Sequence, residues 1–272
     1  PSVGNSSEDH LRCPVASLGQ PYPGTRVGPP AGVWPAIKPE FVAAAGNGLF
    51  TGESDRRLIQ SDDGSLAVMS FAHDWATGGS LFRFENGTSY AAPAVTATAA
   101  LMMQRNTSLA YWPEAVKSIL MASAFNNIEG DTRLSELDGT GNIVADYADD
   151  LTRGVNGSWG AIDYTCSAAT ETTLATVYLT AGKDTRVVIA WDNDPNYASY
   201  SSQPSADLDL QIRSGSATGP VVASSWTWDN TYEVVQFKPS TSGYYAIQAY
   251  KYRCDYSPKY LGFAYYQGTI SP

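Results

Sequence analysis

Asn86-Gly87-Thr88-Ser89-Tyr90-Ala91-Ala92-Pro93 runs directly into the apolar stretch Ala94–Met103, and the reading of these residues decides the fold. Gly87 permits a turn that a residue with a Cβ resists. Thr88 is able to cap a helix, which puts Ser89 in the first turn. A hydroxyl there lies beside oriented N–H groups, which favour the negative charge that develops when it attacks an acyl carbon. Pro93 is expected to sit early in the helix, where a missing N–H costs no intrahelical bond. The plain alternative is a capped helix start leading into a buried helix.

The longer string Gly87-Thr88-Ser89-x-Ala91-x-Pro93, followed by a small-residue helix, resembles the nucleophile motif of the subtilases, the subtilisin-like serine proteases. The resemblance implies that Ser89 is the attacking residue. Upstream, Val3-Gly4-Asn5-Ser6 is similar to the family segment whose asparagine donates to the oxyanion hole, which implies that role for Asn5. Gly28-Pro29 and Lys38-Pro39-Glu40-Phe41-Val42-Ala43-Ala44-Ala45-Gly46 resemble the family's Gly-Pro and Lys-Pro-Asp-x-x-Ala-Pro-Gly, with Glu40 in place of Asp and Ala45 in place of Pro. Trp112–Ala124 has proline at a helix start and apolar residues at helical spacing. It looks like the subtilase Pro-x-x-Val-Lys-x-x-Leu-Met-x-Thr-Ala helix and reads as core packing.

The base and its orienting carboxylate are harder to find. The two histidines, His10 and His73, both lack the family's His-Gly-Thr-His setting, and its Asp-x-Gly motif is absent. A serine nucleophile needs both groups. The expectation is therefore a partner segment, upstream of this one, that carries Asp and His. Loss of the triad in a pseudoenzyme, and recruitment of His10 or His73, are the alternatives.

Between Gly46 and Ser89, residues 51–84 read as an inserted loop or hairpin, with a strand at Leu66–Phe71 and turns at Asp62-Asp63-Gly64 and Gly78-Gly79. Residues 129–163 read as turns carrying scattered aspartates on a solvated face. From Leu174 the pattern changes to period two, in short runs at Leu174–Leu179, Arg186–Trp191, Ala206–Ile212, Val221–Ser225, Glu233–Phe237, Tyr244–Tyr250 and Leu261–Tyr266. Such runs indicate a β-sandwich or jelly roll. The fold class is therefore the partial α/β catalytic domain of a subtilase at residues 1–165, followed by an all-β antiparallel sandwich at 166–272.

Composition sets the bounds. With 272 residues the chain is long enough for two domains, and its net charge of −10 excludes a nucleic-acid partner. No run reaches the roughly 18 apolar residues of a membrane span. Cys166 and Cys254 are expected to pair, which requires an oxidising compartment, whereas three buried thiols would be the alternative. The sequons at Asn5, Asn86, Asn106 and Asn156 bear glycans only in a eukaryotic secretory pathway. No cofactor is expected. For Asp207-Leu208-Asp209-Leu210, calcium ligation by Asp207 and Asp209 and simple inward–outward alternation both fit the spacing.

The resemblance implies a secreted serine endopeptidase acting on protein or peptide, with Ser89 and Asn5 in the catalytic roles. The alternative is a non-catalytic module whose Tyr- and Trp-rich sandwich binds glycan or protein.

Overall fold

The computed structural model describes residues 40, 41, 43, 68–71, 82–85, 88–125, 139–194 and 203–270; for 68–71, 82–85 and 88–90 the description extends to the backbone. Strands β1 (Val68–Phe71) and β2 (Phe82–Glu85) pair antiparallel, with Val68 opposite Glu85. This is the hairpin expected within 51–84. Helix α1 follows at Thr88–Arg105, then a 3₁₀ turn at Thr107–Tyr111 and helix α2 at Pro113–Ala122. Asn106 caps the 3₁₀ turn, its side-chain oxygen accepting from the Ser108 N–H at 3.2 Å. Pro113 opens α2 at a position where no N–H is needed.

One correction concerns Pro93. It is the sixth residue of α1 and lies beyond the first turn, so the carbonyl at position 89 lacks the N–H that would donate to it in a regular helix.

Residues 129–163 contain more regular structure than their turn-rich composition implies. Helix α3 spans Ala145–Thr152 and strand β3 spans Gly157–Asp163. Seven further strands follow: β4 (Glu171–Leu179), β5 (Thr185–Trp191), β6 (Ala206–Ser214), β7 (Val221–Ser225), β8 (Tyr232–Phe237), β9 (Gly243–Cys254) and β10 (Tyr260–Gln267). They form two four-stranded antiparallel sheets, ordered β3-β10-β5-β8 and β4-β9-β6-β7.

The sheets stack face to face over one core. Leu208, Leu210 and Ile212 of β6 and Ile247 of β9 meet Val187, Ile189 and Trp191 of β5 and Phe263 of β10. A second core covers the opposite face of the first sheet, where Val188, Ala190, Tyr232, Val234 and Ala264 pack against Ile119, Leu120, Met121 and Leu151 of α2 and α3. The molecule is thus layered helix, sheet, sheet. β5 lies in the middle layer with all seven residues buried, which is why Val187–Trp191 is apolar at every position instead of alternating.

Two contacts fix α2 on the sheet. Gly262 of β10 lies under the helix's first turn, where an added Cβ would stand 2.4 Å from the Ala115 nitrogen. At the other end the fully buried Arg186 of β5 donates through its guanidinium to the carbonyls of Met121 (3.2 Å) and Ala124. A cation there complements the negative end of the helix dipole and satisfies carbonyls that the helix leaves unpaired. Cys166 and Cys254 are joined in a disulfide, their Cα atoms 5.4 Å apart. This is the pairing expected from sequence, while Cys13 lies outside the described residues.

Candidate active site

Ser89 is the second residue of α1, directly after the β1–β2 hairpin. No acidic residue stands in the helix's first turn, and Arg105 occupies its last. No carboxylate of the helix's own first turn therefore offsets the positive end of its dipole, which suits an anion at that end.

A narrow stripe holds the helix: Ala91, Thr98 and Met102 are buried, with Val95 partly so. Ala91 packs with Ala43, which places Ala43 beside the first turns of the serine-bearing helix. Glu40 nearby is held from two sides. Glu40 pairs with Lys117 of α2 at 3.0 Å, its backbone carbonyl accepts from the Thr140 N–H and hydroxyl, and Lys117 also lies 4.5 Å from the centre of the Tyr232 ring. The Glu that stands in place of the family's Asp is thus tied to α2.

The remaining described surface of α1 is open and largely apolar, with Thr96, Gln104 and Arg105 as its polar members. Ala92, Pro93, Ala94, Ala97 and Ala100 are exposed, and Leu101 is 60% exposed. At its C-terminal end the helix borders a cavity of about 370 Å³ shared with α3, where Arg105 pairs with Asp149 at 2.9 Å. Asp149 and Asp150 also engage Arg153, so these aspartates form a paired surface.

Asn5, His10 and His73 lie outside the described residues, and at Ser89 the backbone alone is described. Asp207 and Asp209 are both on the outer face of β6, as period two requires, since Leu208 and Leu210 point into the core. Both are nevertheless nearly buried, at 3% and 9% exposure. Burial raises each carboxyl to about 6, and for Asp207 the neighbouring Asp209 adds to the effect. Among the described residues no three His, Cys, Asp or Glu side chains gather as a metal would need.

Sequence reasoning missed Glu233 of β8, which is 1% exposed. It accepts from the Thr227 N–H at 2.7 Å, the Thr227 hydroxyl at 2.5 Å and the Ser225 hydroxyl. Its burial raises the carboxyl to about 7 against those hydrogen bonds. A polar residue in a strand of apolar neighbours was the available signal.

Comparison with known proteins adds the following. No curated protein matches the chain. Among solved structures, a chain of the Bacillus endospore appendages, described as disulfide-linked pili, aligns at 12% identity and TM-score 0.27, over 41% of this chain and 87% of that one. CsCBM6-3 from Clostridium stercorarium, solved in complex with cellobiose, aligns at 11% identity and TM-score 0.19, over 40% and 92%. Likeness at that level supports no assignment. Residues 2–141 match the model of the subtilase family. That match spans every motif segment from Val3 to Ala124, and the chain belongs to the subtilase family.

Proposed function

We propose that this chain supplies the nucleophile and oxyanion half of a secreted serine endopeptidase. Ser89 Oγ attacks the scissile carbonyl carbon, and a histidine outside these 272 residues takes its proton. The oxyanion is held by the Asn5 side chain and the Ser89 N–H, and loss of one such donor typically costs roughly 3 kcal/mol of barrier. As the C–N bond breaks, the histidine returns the proton to the leaving amine. Water then attacks the acyl-enzyme, its proton goes to the histidine, and the acid is released with Ser89 regenerated.

The observation that carries this reading is the Gly87-Thr88-Ser89-x-Ala91-x-Pro93 string at the start of α1, inside the family match and free of first-turn carboxylates. The open apolar side of α1 supports the second half of the proposal. A helix apolar on nearly all sides is normally buried, so this face is the natural seat for the rest of an α/β catalytic domain, which brings the Asp and His. The Cys166–Cys254 disulfide supports an oxidising, extracellular setting.

The test is labelling with a fluorophosphonate probe, on this chain alone and mixed with an upstream segment carrying the Asp and His, with Ser89→Ala as control. Labelling in the mixture only, lost in Ser89→Ala, is the expected result. Labelling of the lone chain would assign the base to His10 or His73 instead. No labelling under either condition overturns the peptidase reading.

A further inference from the structure

The β7–β8 connection crosses the outer face of the second sheet and brings Trp226 and Trp228 over β6. Together with Thr227, Asp207, Asp209 and Tyr252 of β9, they line a pocket of about 250 Å³. Tyr252 is aimed there by an irregularity in the ladder, where Asp207 pairs with Arg253 and Leu208 with Lys251, leaving Tyr252 as the extra residue. The three rings are exposed, at 71%, 65% and 57% for Trp226, Trp228 and Tyr252. Trp228 and Tyr252 meet edge to face with centroids 5.1 Å apart, so the walls stand at an angle to each other. The connection is pinned from below by Glu233, through Ser225 and Thr227, and by Asn230, whose amide donates to the Thr227 hydroxyl at 2.8 Å.

The floor of this pocket has an unmet requirement. Asp207 is 3% exposed and its Oδ1 has no hydrogen-bond partner. Asp209 lies beside it on the same face, and Asp229 and Arg253 also act on Asp207, with opposite signs. A desolvated carboxylate pair is costly unless a cation compensates it. A neutral sugar supplies hydrogen bonds to such a floor and leaves the charge unmet. A bare metal ion lacks a third protein carboxylate, histidine or thiolate among the described residues, and gains nothing from aromatic walls. An organic cation satisfies both, because the carboxylates and the ring faces attract it in the same sense. The volume fits the end of one side chain and is smaller than the roughly 300–1,000 Å³ of sites that hold larger ligands.

We propose that this pocket binds an arginine side chain of an extended polypeptide, its guanidinium on the Asp207–Asp209 floor and its plane against Trp226 and Trp228. The planar fork suits both partners: it donates to paired carboxylate oxygens and stacks on indole. The net charge of −10 steers basic segments toward the surface. The site is independent of the serine chemistry and stands whether or not the chain cleaves peptides.

The test uses the full chain carrying Ser89→Ala, titrated with a blocked Gly-Arg-Gly peptide and with its citrulline counterpart, a near-isostere without the charge. The readout is the indole N–H signals of Trp226 and Trp228, assigned by Trp226→Ala and Trp228→Ala. The expected result is a saturable shift of both signals with the arginine peptide. Binding weakens about tenfold or more for citrulline, for Asp207→Asn and for Trp226→Ala. Trp226 is exposed, so its truncation leaves the fold intact and keeps the test valid should Asp207→Asn fail to fold. Equal binding of citrulline, tighter binding of cellohexaose, displacement of the peptide by calcium chloride, or no saturable shift below ~10 mM peptide each overturns the proposal.

Discussion

At Asp209 the period-two pattern and the burial of the site conflict. The spacing of Asp207 and Asp209 places both on the outer face of β6, and an outer face ordinarily means water. The residues that surround them, Trp226, Thr227 and Trp228 from the β7–β8 connection and Tyr252 from a ladder irregularity on β9, are brought there by the fold and by no pattern within β6. Burial raises the Asp209 carboxyl from 3.8 to about 6, so the fold favours its neutral form. Its contribution to stability is fully present below 3.8 and is lost as pH rises through about 6. Asp207 beside it and Glu233 beneath, also raised by burial, push the same way, while Arg253 opposes at Asp207. Asp209→Asn does not titrate, so its stability relative to the parent should rise by on the order of 2 kcal/mol between pH 4 and pH 7. Urea midpoints of both proteins across that range measure it. Parallel pH curves would mean that Asp209 is solvated.

At the scale of elements, Gly262 is the point where helix and sheet meet. An added Cβ would contact backbone atoms of Glu114 and Ala115, which cannot rotate away as a side-chain end would. Gly262→Ala is therefore expected to displace the start of α2 from β10 and cost about 2 kcal/mol, seen as a lower denaturation midpoint. A midpoint within ~0.5 kcal/mol of the parent would show that α2 slides freely on the sheet.

α2 could be read from its sequence because proline, spacing and apolar face agree. α3 could not: Ala145–Thr152 carries three aspartates and no side-chain cap, and it is held by the burial of Ala148 and Leu151 and by arginines from α1 and from its own end. Short helices draw most of their stability from such packing. β3 was missed for a related reason. Its two glycines and half-buried pattern give no alternation, and it is a strand because β10 pairs with it residue by residue.

For the whole molecule, the Cys166–Cys254 bond ties the entry to β4 to the end of β9 across a separation of 88 residues. A loop of that length restricts the unfolded chain by up to about 4 kcal/mol. The double substitution Cys166→Ala with Cys254→Ala should lower the unfolding free energy by roughly 2–4 kcal/mol and leave the spectrum of the folded state unchanged. Unchanged stability would mean that the β4–β9 and β6–β9 ladders already hold these ends together in the denatured ensemble. The described residues leave one side of α1 uncovered, and covering it is the structural half of the peptidase proposal.

The sequence by itself determined the family, the strands from β4 to β10, the helix that carries Ser89 and the cysteine pair, because each depends on local periodicity, turn chemistry or a contiguous motif. Only the tertiary structure decided that β5 is buried on both faces, that Pro93 lies past the first turn, and that two outward aspartates are buried at the floor of an aromatic-walled pocket. The physical reason is the same throughout: burial is set by whatever distant segment arrives to exclude water, and neither residue spacing nor composition encodes which segment that will be.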